Sequence, residues 1–160
     1  DFVLPKRLDA TYIDKNGEKK HPVILHRAIL GSIERWLGIL IEQHSGRFPL
    51  WLTPVQIMIC TITEKSDDYV RIVTKSLKNV GVRCDVDLRN EKIGYKIREH
   101  SENGYPIILI IGEKEMINKT VSIRRLGSNN QHSQTLINFT DAIKNEIKTQ
   151  DLVLTLKKKV

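Results

Sequence analysis

The fold of this chain is organised around the stretch Asp87-Leu88-Arg89-Asn90-Glu91-Lys92-Ile93-Gly94-Tyr95-Lys96-Ile97-Arg98-Glu99-His100. Its first residues close a segment, residues 82–89, in which apolar and charged side chains alternate as in a half-buried strand. Its later residues predict a short helix with a dry face at Ile93 and Ile97 and a wet face that includes Lys96. Charged and amide side chains therefore crowd a strand-to-helix corner, which is where open α/β sheets bind their ligands.

The segments on either side of this stretch continue the alternation of strand and helix patterns. The expected strands are 55–62, 82–89, 106–111 and 120–124, and the expected helices are 66–80, 91–103 and 136–147. A polar loop is expected at 129–133. The order β-α-β-α-β-β-α predicts an α/β fold with a mixed, mainly parallel sheet that is flanked by helices.

The first third of the chain has a different pattern. Residues 10–30 predict a β-hairpin, because Asn16-Gly17 is a strong signal for a type I′ turn, in which both central residues have positive φ. Ser32 then stands where an N-cap is expected, before an amphipathic helix over residues 33–44.

A linker joins the two patterns. The segment 48–54 contains two prolines, suits neither a helix nor a central strand, and is interpreted as an ordered linker that packs. We therefore expect one domain in residues 1–53, formed by a hairpin and a helix, and a second domain in residues 54–160.

Composition limits the class of protein and of partner. The net charge of +7 is larger in the second part than in the first, so a polyanionic partner is expected to bind the second part. Cys60 and Cys84 lie in apolar strand patterns and are interpreted as buried, reduced thiols of a cytoplasmic protein. No apolar run is long enough to span a membrane. The chain does not begin with Met, so we interpret it as a piece of a longer protein.

Few motifs indicate chemistry on their own. Phosphate-binding loops are absent, and His26 has no second ligand at metal-site spacing. Arg35 in the first turn of its helix contacts an anion or is simply solvated. The 87–100 corner is either the polar side of a helix or a basic surface that reads unstacked bases of an RNA loop. On the second interpretation, Arg124 on the polar face of its strand offers a planar fork to a guanine edge.

Three stretches resemble one known family. Residues 26–35, His-Arg-Ala-Ile-Leu-Gly-Ser-Ile-Glu-Arg, are similar to motif 3 of class II aminoacyl-tRNA synthetases in its threonyl form. Residues 48–56 resemble the junction with the anticodon-binding domain, and residues 87–100 resemble the threonyl-specific helix signature. The resemblance covers about residues 1–127 and, more loosely, the last helix. It implies a five-stranded sheet flanked by helices in the second domain.

The resemblance also implies roles for single residues. In the first domain, His26 matches a zinc ligand, Arg35 an ATP contact and Ser32 a position in the amino-acid pocket. The residues that match anticodon-contacting positions are Asn90, Arg98, Glu115 and Arg124, with Lys92 as a weaker candidate. From the residues alone, Glu115 is instead a member of a solvated turn. The implied partner is tRNA(Thr), whose anticodons share a central guanine followed by uridine.

The resemblance implies that the longer parent is a cytoplasmic enzyme that ligates threonine to tRNA(Thr). This parent uses ATP with magnesium and zinc, and it is a homodimer through its catalytic domain. The fragment itself is expected to be inactive and to bind no cofactor, because a catalytic zinc needs about three protein ligands.

Some residues depart from the family pattern. Residues 101–104 and 126–130 lack the basic residues that the family usually has there. Two alternatives stay open, which are a stand-alone interaction module that binds protein partners and a class II synthetase of other specificity.

Overall fold

The computed structural model describes residues 1–128 and 130–150, and the chain divides into two compact units, Asp1–Leu40 and Ile41–Val160. The first unit contains the short helix α1 (Leu4–Arg7) and the two-residue strands β1 (Tyr12–Ile13) and β2 (Lys19–Lys20). Helix α2 (Ile33–Gln43) begins in the first unit and ends in the second. The domain boundary that the sequence predicts after Thr53 stays a prediction.

The predicted hairpin is much shorter in the structure. Only β1 and β2 pair, and Gly17 has positive φ whereas Asn16 does not, so the turn is not of type I′. Instead, the Asp14 carboxylate accepts from the backbone N–H of Asn16 at 2.8 Å and of Glu18 at 3.0 Å. The segment 23–30 forms no strand. An isolated two-stranded hairpin is marginal in water, and the described chain offers this segment no third strand.

The second unit is a five-stranded mixed sheet with helices on both faces. Its strands are β3 (Ile57–Thr61), β4 (Cys84–Asp87), β5 (Ile107–Ile111), β6 (Thr120–Arg125) and β7 (Gln131–Thr135). Its helices are α3 (Asp67–Asn79), α4 (Ile93–Glu102), α5 (Glu113–Asn118) and α6 (Leu136–Thr149), and a 3₁₀ turn at Glu64–Ser66 precedes α3. The strand order is β4-β3-β5-β6-β7. β3 is parallel to β4 and β5, whereas β6 is antiparallel to β5 and β7. The predicted α/β fold is confirmed.

The sequence interpretation missed two of these elements. Helix α5 has six residues, too few to show a helical period. Strand β7 replaces most of the predicted polar loop, and all five of its residues are polar and exposed. A polar strand at the sheet edge carries no alternation of apolar and polar side chains, so sequence pattern alone does not reveal it.

The sheet has an apolar core on each face. On one face, α3 and α6 cover a large cluster that includes Ile59, Val73 and Phe139. On the other face, α4 covers a smaller cluster in which Ile93 and Ile97 pack against the central strands. On this face, α4 lies over β3 and β5.

The linker packs, as the sequence predicted. Leu50 is buried in the large core cluster. The fully buried side chain of Gln56 donates to the Leu50 carbonyl at 2.9 Å and accepts from the Arg83 backbone N–H at 3.0 Å. The Arg83 guanidinium donates to the carbonyls of Trp51, Thr53 and Pro54. Both cysteines are buried and free, and no helix in the described ranges is long and apolar enough to cross a membrane.

Candidate nucleic-acid interface

A buried carboxylate holds the strand-to-helix corner together. Asp87, the last residue of β4, accepts from Arg89 at 3.0 and 2.7 Å and lies 2.7 Å from His100 Nε2 on α4. The same guanidinium also pairs with Glu99 on α4. The Arg89 guanidinium, followed by His100, holds the pKa of the Asp87 carboxyl well below its usual range. The strand end and the helix are therefore tied by ionic hydrogen bonds, the strong class of such bonds.

Lys96 belongs to this buried network, and its predicted place on the wet face of the helix is wrong. Its side chain is 1 % exposed, and its ammonium donates to the carbonyls of Thr61 and Asp87, each at 3.1 Å. The Asp87 carboxylate lies 3.7 Å from the same ammonium. A buried ammonium has to be paired and hydrogen-bonded, and these three oxygens meet that requirement. Lys96 thus joins the carboxyl ends of β3 and β4 to α4, and it is not available to an RNA phosphate.

The turn between the network and α4 presents exposed polar groups. Asn90 and Lys92 are both exposed. Lys92 is the N-cap residue of α4 and does not cap with its side chain, so Asn90 is not the N-cap. Arg89 and Lys96, which lie on either side of this turn, are both held by hydrogen bonds. The turn therefore presents the Asn90 amide and the Lys92 ammonium to solvent between two fixed ends.

Two of the predicted RNA contacts line one shallow groove between α4 and β6. Arg98 projects from α4 and Arg124 from β6, and Arg47 after α2 lies on the rim. Arg98 donates to Glu102 at 2.9 Å, and among the described residues Glu102 is the single carboxylate that lines the groove. The other lining residues are Gly94, Ile97 and Ser101. The described lining residues carry three guanidiniums against one carboxylate, so their net charge is positive.

Strand register explains why Arg124 reaches the α4 face. Arg124 pairs with Ile108, and Ser122 pairs with Ile110. Both isoleucines belong to the core cluster that α4 covers. Directly opposed residues of antiparallel strands project to the same face, so Arg124 and Ser122 project there too.

Glu115 lies at the carboxyl end of the same face. It is the third residue of α5, and its carboxylate accepts from the Gly112 backbone N–H at 3.0 Å and from the Ser122 hydroxyl at 2.8 Å. The expectation of a solvated turn is wrong, because Glu115 caps a helix and is half-buried. A Cβ at Gly112 would lie 2.8 Å from Ile62 Cδ1, so the Ile62 side chain would have to shift to admit one. The carboxylate is thereby fixed next to the strand that carries Arg124.

The predicted catalytic residues lie in the first unit and are all exposed. Ser32 caps α2, accepting from the Arg35 backbone N–H at 3.2 Å. His26 Nε2 lies 3.2 Å from the Asp1 carboxylate, and in the described ranges it belongs to no group of three metal-binding side chains. The residues present therefore do not form a zinc site, since such a site needs about three protein ligands.

A second cluster of ligand-type side chains is buried beneath the corner. The donor atoms of Cys60, Asp87 and His100 lie within 4.8 Å of one another. Burial raises the pKa of the Cys60 thiol to about 12, so the thiol stays protonated at neutral pH. The Asp87 carboxylate is already engaged by Arg89, and the Lys96 ammonium repels a cation. This cluster is a structural network and not a metal site.

Sequence reasoning missed Arg47 and misplaced Lys96. Arg47 follows a helix and precedes the linker, so only tertiary structure brings it to the groove. Lys96 had a signal, because Ile93, Lys96 and His100 follow the helical spacing i, i+3, i+7 and so share one face. The charge of Lys96 favours the wet face of the helix, whereas its position in this spacing favours the buried face.

Comparison with known proteins assigns the family. Residues 56–146 match the family described as "Anticodon binding domain", and residues 1–44 match the "tRNA synthetase class II core domain (G, H, P, S and T)". The chain is 58 % identical over 131 residues to a threonine–tRNA ligase of Paramagnetospirillum magneticum, covering 82 % of this chain and 20 % of that protein. It is 55 % identical over 143 residues to that of Wolbachia pipientis subsp. Culex pipiens, covering 89 % and 23 %.

The fold comparison agrees with the sequence comparison. The RNA binding domain of threonyl-tRNA synthetase from Cryptosporidium parvum matches with a TM-score of 0.69 and 34 % identity, covering 91 % of this chain and 37 % of that chain. The chain spans about a fifth of the length of the curated relatives that it matches. By these matches the chain belongs to the anticodon binding domain family, in the form that occurs in the C-terminal region of threonyl-tRNA synthetases.

Proposed function

We propose that this chain binds the anticodon stem-loop of tRNA(Thr) on the surface formed by α4 and β6. It does so as part of a longer enzyme that ligates threonine to this tRNA at the expense of ATP. The binding role belongs to residues 54–160, and residues 1–53 are the end of the catalytic domain.

The observation that carries the proposal is the groove in which Arg98 and Arg124 meet. Arginine binds phosphates by its charge and base edges by its planar fork of donors. Unpaired RNA loops expose both phosphates and base edges. The groove opens onto the polar flank of the sheet, where β6 and β7 present hydroxyl and amide side chains. Such a surface suits splayed bases, which need hydrogen-bond partners on their edges.

The geometry supports a division of roles. Arg124 is the candidate reader of the central guanine, whose O6 and N7 accept from a guanidinium fork. Glu115, fixed by Gly112 and Ser122, offers acceptor oxygens to a base amino group. Asn90 offers both a donor and an acceptor from the rigid turn. Lys92 and Arg98 supply charge for phosphates.

The catalytic roles belong to the longer protein. There, Arg35 would contact ATP, which binds with magnesium, and Ser32 would line the amino-acid pocket. His26 would be one zinc ligand, completed by residues outside this chain. The longer protein would be a cytoplasmic homodimer through its catalytic domain. Motif 3 in residues 26–35 and the class II core match over residues 1–44 support these roles.

The test is to measure the affinity of the chain for the cognate anticodon stem-loop and for stem-loops with single base changes, at several salt concentrations. Arg124→Ala is expected to cost about 1–3 kcal/mol on the cognate stem-loop and to relax discrimination at one anticodon base. The matched control is Lys144→Ala, because Lys144 is exposed on α6, which packs on the opposite face. It should leave affinity and discrimination unchanged.

Three results would contradict the proposal. Equal weakening of every stem-loop by Arg124→Ala would make Arg124 a phosphate contact and not a base reader. Stronger binding to a stem-loop of another amino acid would favour a class II synthetase of other specificity. No binding to any stem-loop would favour the stand-alone interaction module.

A further inference from the structure

An apolar groove runs along the free edge of the sheet, on the face opposite the RNA groove. β4 is the terminal strand, and in the described part of the chain no strand pairs with its outer edge. The floor consists of Val86 and Leu88 at the end of β4 and of Val70 and Thr74 on α3. The Thr74 hydroxyl donates to the Val70 carbonyl at 2.7 Å, so its methyl group is the part left for contact. Val86 and Leu88 remain 37 % and 39 % exposed.

Three cations form the rim of this groove. Arg71, Lys75 and Lys78 follow one another at i, i+4 and i+7 on α3, so they lie on one side of the helix. All three are exposed, and within residues 1–128 and 130–150 none of them forms an ion pair. Like charges at this spacing repel one another, so the helix gains nothing from them by itself.

We propose that this edge binds an extended polypeptide segment that carries apolar and acidic side chains on one face. Such a segment adds to the sheet as a sixth strand, with main-chain hydrogen bonds to β4. Its apolar side chains fill the floor beside Val86 and Leu88, and its acidic side chains meet the cations of α3. The opposite edge gives a useful contrast, because the residues of β7 are polar along its whole length.

The apolar floor decides between a peptide and a nucleic acid. An RNA backbone would satisfy the cations but would leave Val86 and Leu88 against sugar and phosphate. A strand satisfies the cations, the apolar floor and the free backbone groups of β4 together. The segment Leu152–Leu156 of this chain is apolar, but Lys157, Lys158 and Lys159 follow it, and these charges oppose the rim. Charge complementarity therefore favours an acidic segment of a partner protein. This inference does not depend on the proposed RNA binding.

The test uses the full chain and a synthetic peptide that repeats Val-Ser-Glu-Ser, so that valine and glutamate share one face of the extended form. A matched peptide has lysine in place of glutamate. NMR titration is expected to shift the amides of residues 84–88 and to slow their hydrogen exchange with the glutamate peptide only. The double variant Arg71→Glu, Lys75→Glu should weaken the glutamate peptide about tenfold, as expected for the loss of two exposed ion pairs.

The control is Lys114→Glu, which reverses an exposed cation on α5 and should leave peptide affinity within about twofold. Native amide spectra of all variants establish that they fold. The proposal is overturned if both peptides bind equally, if neither shifts residues 84–88, or if an anticodon stem-loop displaces the peptide from these residues. Contacts between the Val86 methyls and residues 152–156 in the free chain would show that the chain covers its own edge, and would also overturn it.

Discussion

Replacing Lys96 with methionine separates a structural lysine from an RNA-binding one. Methionine matches the aliphatic part of the lysine side chain, so the change removes the ammonium and leaves little other space empty. The Thr61 and Asp87 carbonyls each lose a donor at 3.1 Å, and the Asp87 carboxylate loses a cation at 3.7 Å. The structure therefore predicts a less stable protein with intact exposed contacts for RNA.

The size of the loss in unfolding free energy depends on which partners Asp87 keeps. Breaking a buried ion pair by removing one partner costs about 3–5 kcal/mol, because the other charge stays buried and unpaired. Asp87 keeps Arg89 and His100, so its charge is not left uncompensated. The two carbonyls lose hydrogen bonds to a charged group, each contributing about 1.5–3 kcal/mol, offset by the regained desolvation free energy of the ammonium. We expect Lys96→Met to lower the free energy of unfolding by about 2–4 kcal/mol.

The assay is urea unfolding followed by circular dichroism, with Lys92→Met as the control. Lys92 is exposed at the N-cap of α4, and its replacement should change stability by less than about 0.5 kcal/mol. Unchanged stability of Lys96→Met, together with a shallower salt dependence of RNA binding, would refute the reasoning. That result would return Lys96 to the wet face that its charge suggested.

Three further outcomes are expected. Lys92→Ala should weaken all stem-loops alike and make the salt dependence shallower by about one unit, and a change in discrimination would contradict this. Asp87→Asn should lower the free energy of unfolding at pH 7. Since the folded pKa of Asp87 is depressed, its contribution is present above the unfolded pKa of about 3.9 and is lost as pH falls through the folded value. The difference in unfolding free energy between Asp87→Asn and the unmutated chain should therefore become smaller in acid. A difference that stays constant as pH falls would contradict this expectation. After dialysis, the chain alone should hold no stoichiometric zinc and show no threonine-dependent ATP–pyrophosphate exchange. Bound zinc or measurable exchange would contradict the inference that each depends on residues outside this chain.

Sequence pattern predicted the elements that bury apolar side chains. The continuous runs of β3 and β5 and the helical stripe of α3 follow from the need to bury those side chains, so they appear as periodicity. Strand β7 has no apolar side chain to bury, and it exists because β6 offers it an edge to pair with. The predicted strand at residues 23–30 failed for the opposite reason. It has the pattern of a strand, but in the described residues it pairs with no strand, and the backbone partner of Ile24 is Asp1.

The site was predicted only in part. The sequence placed Arg98 and Arg124 on separate elements, and only the register of β6 against β5 shows that they share a face. The charge of Lys96 suggests a solvated position, because a lysine is expected to be solvated unless the sequence shows a partner for it. Its partners are main-chain carbonyls at two strand ends, which no side-chain pattern reveals.

The most direct test of the central claim is to map the cognate anticodon stem-loop on the chain by NMR. We expect shifts at residues 90–98, at Glu115, at residues 122–124 and at Arg47, which also lines the groove. We also expect unchanged amides along α3. Shifts confined to α3 and the outer edge of β4, with the α4 and β6 residues unchanged, would contradict the claim.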